Sequence, residues 1–274
     1  VIWLCARQEL ALAARSRFTQ VFAVVFAALA LATAGSGYVL SGGHGVQDFA
    51  RTAASLVQLV ALLVPLAALL LGTTALSPDR GAAELLYSQP VSRTSVLFGK
   101  LAGLFLALAG AQALGFGAVG FVVFSQASEE GLGGFVLLAA GGLVLTAVFL
   151  VVAAVLAAGA FGRRRQRALG LAVVVWFVAV VLFDVVALGV ASFLPSGLAS
   201  RVLIVSVIAN PVDAVRTGTL LGLSGTAAFG SASLAFLRFT GGPTGAAVLI
   251  SASLLLWTLV PAAVASMRLR RADL

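Results

Sequence analysis

Six stretches of this 274-residue chain are apolar almost without a break: residues 18–40, 53–76, 96–124, 133–161, 168–194 and 244–266. A helix crossing the hydrocarbon core needs about 20 such residues, and each stretch is long enough. The pattern predicts an all-α polytopic membrane protein with six transmembrane helices. Two further segments carry helical signals without the length to span. Residues 2–16 place Trp3 and Leu10 on one ridge and Gln8 and Arg15 nearly opposite, which predicts a weakly amphipathic helix lying in the membrane interface. Residues 77–89 open on Ser-Pro-Asp, a helix-start signal, and stop before Pro90. The chain thus divides into an N-terminal interfacial elbow, 1–17, and a six-helix transmembrane domain, 18–274.

The connections are unequal. The one around 125–132 is short and acidic, with Glu129 and Glu130, whereas 77–95 and 195–243 are longer. The apolar pieces of the last, 201–209 and 220–239, are interrupted by Gly and Ser. Short interfacial or re-entrant helices covered by protein are expected there; a seventh and an eighth span are the less favoured alternative.

Charge orients this arrangement. Thirteen of the 17 basic residues fall on one side: Arg7, Arg15, Arg17, Arg80, Arg93, Lys100, Arg163, Arg164, Arg165, Arg167, Arg268, Arg270 and Arg271. Arg51, Arg201, Arg216 and Arg238 fall on the other. The positive-inside rule then puts both termini and residues 77–95 in the cytoplasm, and 195–243 outside. Charged residues are only 9% of the chain and hydrophobic ones 61%, against about 25% charged in soluble proteins. The net charge of +8 therefore points to anionic membrane lipids as a partner and not to nucleic acid. Cys5, the single cysteine, excludes an intrachain disulfide. Arg7 and Glu9 interrupt the first apolar residues and no convincing cleavage site follows the run after Arg17, so no removable signal peptide is expected.

Enzymatic chemistry finds few candidates. Gly99-Lys100 lacks the upstream glycine and the hydroxyl residue of a phosphate loop. The predicted spans hold one acid, Asp184, so an intramembrane carboxylate pair is missing, and His44 stands alone. No catalytic residue, metal site or cofactor is expected. Cys5, His44 and Met267 are the soft donors of the chain, too few and too far from the hydrocarbon interior to relay a soft metal ion across it.

Asp184 should face protein or water, because a mid-bilayer charge costs about 2.5–3.5 kcal/mol on insertion scales. It is either a proton or cation site, or a hydrogen-bonded carboxyl pinning the fifth helix to a neighbour. The second reading is favoured, since the one basic residue in a predicted span, Lys100, lies near the cytoplasmic end of the third and offers Asp184 no partner. Gly99, Gly103, Gly110 and Gly117, with Ala107 and Ala113, form a small-residue ridge on the third span, better read as a packing face than as a substrate path. The Arg163–Arg167 cluster reads as orienting charge against lipid headgroups. Glu84, Leu85, Leu86 and Tyr87, braced by Pro78 and Pro90, form a short projecting helix with an apolar face. It suits a partner groove better than a connector folded back on the bilayer. In Asn210-Pro211-Val-Asp213-Ala-Val-Arg216, Pro211 fits a first helical position, Asn210 its cap, and Asp213 and Arg216 an i,i+3 pair. That motif is either a structural turn or part of a docking surface, and one motif can be both.

Taken together, the interfacial helix, six spans, the loop Glu84-Leu-Leu-Tyr-Ser-Gln-Pro-Val-Ser-Arg93 followed by Gly99-Lys100, and the long loop before the last span resemble the type-two ABC exporter permeases. Phe183-Asp184 and the Asn210–Arg216 motif resemble most the NosY-type permeases of nitrous oxide reductase maturation. The resemblance implies a bacterial inner-membrane homodimer with two cytoplasmic ATPase subunits and a periplasmic β-helical partner that handles copper. It further implies that residues 82–89, with Glu84, Leu85, Leu86 and Tyr87, are the coupling helix seated on the ATPase, and that Asn210, Asp213 and Arg216 shape the docking surface for the periplasmic partner. A half-size chain with a self-complementary small-residue face independently fits a two-fold dimer. Three functions follow: a maturation permease that transmits ATP-driven motion, an exporter of a drug, lipid or sulfur compound, and a scaffold without ATPase.

Overall fold

The computed structural model describes residues 1–40, 45–77, 91–124, 132–159, 165–224 and 231–271, and all its regular elements among these are helical. Helix α1 runs Ile2–Arg15. The first four spans are α2 (Arg17–Leu40), α3 (Gly45–Leu76), α4 (Arg93–Phe124) and α5 (Leu132–Gly159). The fifth span is composite: α6 (Arg165–Phe177), a π-turn (Val178–Leu182) and α7 (Phe183–Ser192). Helices α8 (Ser196–Ala209), α9 (Pro211–Ser224) and α10 (Ser231–Thr240) follow, and the sixth span is α11 (Pro243–Arg271). Six of these helices are long and apolar enough to cross a membrane, and they coincide with the six stretches read from hydropathy.

Ser16 ends one helix and starts the next. Its hydroxyl accepts the Thr19 N–H at 3.1 Å, a cap on the first turn of α2. The turn lets α1 fold back against α4. A Cβ on Gly99 would lie 2.6 Å from Cys5 Cβ, and one on Gly103 2.5 Å from the Ala6 carbonyl oxygen. The glycine ridge is therefore a packing face in its first half. A Cβ on Gly110 or Gly117 would meet nothing within 4 Å among the described residues. The face of α1 that docks carries Ala6, Glu9 and Ala13, and Trp3 is 71% exposed. Small residues win this contact because only they match the glycines' closeness. Of the Trp3–Leu10 ridge, Leu10 packs partly against the core beside Gly103, whereas Trp3 faces away from it.

The core lies among spans one to four. Phe26, Leu69, Leu104, Leu108, Leu145 and Phe149 are fully buried, and Phe26 packs edge-on against Phe116 at 5.3 Å. The apolar part of the second span is 56% buried, but those of the fifth and sixth only 11%. These two stand at the margin of the bundle. Helix α1 and the last turns of α11 share one end: Glu9 pairs with Lys100 at 3.6 Å, Lys100 donates to the Ala75 carbonyl at 3.3 Å, and Arg93 donates to that of Leu269 at 3.2 Å. The opposite end holds the starts of α3 and α5 and the finish of α7.

Between spans five and six the chain makes a broken pair. Helices α8 and α9 meet at Asn210 with a bend of 103°. Of the piece 220–239, interrupted by Gly and Ser in the sequence, residues 220–224 belong to α9 and 231–239 to α10. Ser253 of α11 donates to the Ile208 carbonyl at 2.6 Å, satisfying a group that the end of α8 leaves free.

Candidate functional site

The bend is where the polar residues converge. Asn210 Oδ1 accepts the Val212 N–H at 3.1 Å and so caps α9, whose first residue is Pro211. Its amide donates to Asp213 Oδ2 at 3.1 Å and to the Ala179 carbonyl at 2.7 Å. That carbonyl belongs to the π-turn. There the Phe183 N–H reaches five residues back, to Val178, instead of four back to Ala179. A π-turn takes carbonyls out of the regular ladder, and Asn210 supplies a donor to this one.

One turn further along α9, Arg216 donates to Asp213 and, at 2.7 Å, to Asp184 of α7. Its other terminal nitrogen lies 3.5 Å from Gln58 Oε1 of α3. Asp213 is buried, and the side chains of Arg216 and Asp184 are 23% and 32% exposed. Two carboxylates share one guanidinium, so the fully ionised group carries one excess negative charge. Asp184 is thus not without a basic partner. The partner comes from outside the six spans, folded back on them by the bend. The carboxyl does pin the fifth span to a neighbour, but as an ion pair.

The group lies inside the bundle's far end. Gln58 is six residues from the start of the second candidate span at Thr52, and Asp184 eight from the finish of the fifth at Ser192. At about 1.5 Å per residue these depths are roughly 9–12 Å. Val215 and Thr219 of α9 sit over Gly141 of α5, where an added Cβ would meet them at 2.9 and 3.0 Å.

Asn210, Asp213, Arg216 and Asp184, singled out from two separate motifs, form this single site. Gln58 is the member that sequence reading missed; a polar residue in an otherwise apolar run was its signal. A second buried polar contact was also missed: Gln112 of α4 donates to Thr146 of α5 at 2.7 Å, and its Oε1 has no hydrogen-bond partner among the described residues. Glu84, Leu85, Leu86 and Tyr87 lie outside the described residues, as do His44, Arg163 and Arg164. Among the described residues no three His, Cys, Asp or Glu side chains are grouped to hold a metal ion.

Comparison with known proteins covers the whole of this architecture. The profile of the ABC-2 family transporter proteins matches residues 3–274. The probable ABC transporter permease protein NosY of Pseudomonas aeruginosa is 34% identical over 241 residues, 86% of this chain and 87% of its own length. The protein of the same description from Stutzerimonas stutzeri is 34% identical over 240 residues, 84% of each chain.

Proposed function

The chain belongs to the ABC-2 family of transporter proteins, and from that premise we propose that it relays ATP-driven motion to a copper-handling partner on the periplasmic face. It is a permease subunit and not itself an enzyme; ATP is hydrolysed by a separate chain. In this reading two copies sit in a bacterial inner membrane with two cytoplasmic ATPase subunits. The complex serves copper-site maturation of nitrous oxide reductase, the setting suggested by relatives described as NosY.

The contacts suggest a path. Residues 82–89 carry Glu84, Leu85, Leu86 and Tyr87 onto the ATPase, in the connector between the second and third spans. Closure of the ATPase pair pushes on both spans, which Lys100 ties to each other and to α1 through the Ala75 carbonyl and Glu9. The spans move as rigid bodies. At the far end Gln58 of the second span and Asp184 of the fifth both meet Arg216, so their motion reaches α9 and the surface made by 195–243. The observation that carries this proposal is Arg216, because it joins two spans to the bent helix pair.

Gentle purification from native membranes tests it. An ATPase and a periplasmic copper protein should co-purify. An ATPase alone would favour the exporter of a drug, lipid or sulfur compound, a reading supported by the apolar slot described next. Neither partner would leave a scaffold and overturn the proposal.

A further inference from the structure

A cavity of about 280 Å³ lies between the fourth, fifth and sixth spans, under the bend. Its floor is Phe149 and Val152 of α5. One wall is the fifth span from Val174 through the π-turn to Phe183, the other is Trp257, and Ala209, Asn210 and Pro211 close one end. Val174, Val178 and Trp257 are at once cavity lining and exposed outer surface, so the cavity opens sideways between the two thinly packed spans. Trp257 stands fourteen residues from each end of its span. The slot therefore sits at the middle of a hydrocarbon layer about 30 Å thick.

We infer that this slot holds one acyl chain of a membrane phospholipid. Its lining is hydrocarbon and aromatic but for Asn210 and the indole of Trp257. The Asn210 amide is fully committed: both donors go to Ala179 and Asp213, and its oxygen takes the Val212 N–H. A polar cargo finds no charged group there. Water needs two to four polar partners and leaves an apolar cavity of about 150 Å³ dry, whereas hydrocarbon enters it. Left empty, the walls would forfeit their dispersion contacts along the whole opening. Acyl chains are the molecules that meet such an opening at that depth. Because Ala179, Asn210 and Pro211 line the slot and also form the bend, a seated chain braces the 103° junction from its apolar side.

The test uses the purified complex in vesicles of phosphatidylethanolamine and phosphatidylglycerol. These carry a small fraction of phosphatidylethanolamine with a diazirine midway along one acyl chain. After illumination, adducts are mapped by peptide. Labelling at Val152, Val174 and Val178 should exceed, several-fold, that at Val248, Leu255 and Leu259, equally apolar positions on the outer face of α11. It should also saturate as the labelled lipid is raised. Filling the slot with Val152→Phe and Val178→Phe should remove its adducts and leave those on α11. If that variant does not assemble, the wild-type ratio still decides. Equal labelling of the two sets overturns the inference, as does a slot labelled less than α11, which would mean that a second copy covers it.

Discussion

The Arg216 guanidinium, on a helix that follows a sharp bend, sits 2.7 Å from the Asp184 carboxylate of the fifth span while also holding Asp213 on its own helix. The arrangement is asymmetric. Removing the arginine leaves two carboxylates facing each other, whereas removing Asp184 leaves an arginine that keeps Asp213. Breaking a buried pair costs about 3–5 kcal/mol, and the partial exposure of both side chains reduces this to about 1–3 kcal/mol. Arg216→Gln should therefore destabilise the purified protein more than Asp184→Asn. The double variant should lose less than the sum of the two, because the sites are coupled. Thermal unfolding in one detergent, run as a double-mutant cycle, checks this; additive losses would mean that the pair contributes nothing.

Asn210 separates two roles in one side chain. Asn210→Ala loses the helix cap, about 1 kcal/mol, together with the donors to Ala179 and Asp213. Asn210→Asp keeps a cap acceptor but loses the amide and adds a third carboxylate to the group. If capping alone mattered, Asp would restore stability. The contacts predict that it is at least as damaging as Ala in the same unfolding measurement.

Glycine substitutions along α4 test which part of the ridge packs. A side chain at Gly103 would collide with the backbone of α1, while Gly110 faces open space. Gly103→Val should loosen α1 and speed maleimide modification of Cys5, which lies against Gly99. Gly110→Val should leave the Cys5 rate unchanged. The lone cysteine makes the wild-type protein its own control.

Much of this was legible in the sequence for physical reasons. A run such as 133–161 carries enough apolar surface to make a span on its own, so hydropathy located all six. Pro211 and Asn210 specified their helix start because capping is local chemistry. What could not be read was long-range. Asp184 and Arg216 are 32 residues apart, and the bend that joins them depends on how α9 settles over Gly141. Which residues of α1 dock could not be read either: close approach to Gly99 and Gly103 brings in Cys5, Ala6 and Glu9, which apolar ranking does not single out. Gly110 and Gly117 meet no neighbour among the described residues, since spacing alone does not say how far a neighbouring helix extends.

Orientation rests on the thirteen-to-four distribution of basic residues. With Cys5 replaced by Ser, single cysteines at Ser88, Arg165 and Ala272 should resist a membrane-impermeant reagent in intact cells. Those at Gly131 and Ser224 should react. Efficient labelling at position 165 would invert the topology.

That motion reaches the outer face through Arg216 is tested most directly by a distance across that face. Spin labels at Gly133, near the start of α5, and Ser200, on α8, would be measured in the complex with its ATPase, with and without ATP, by double electron–electron resonance. The account predicts that ATP shifts the distance distribution in the otherwise wild-type complex. In Arg216→Gln the shift should vanish although ATP is still hydrolysed. The same ATP-driven shift persisting in Arg216→Gln would contradict it.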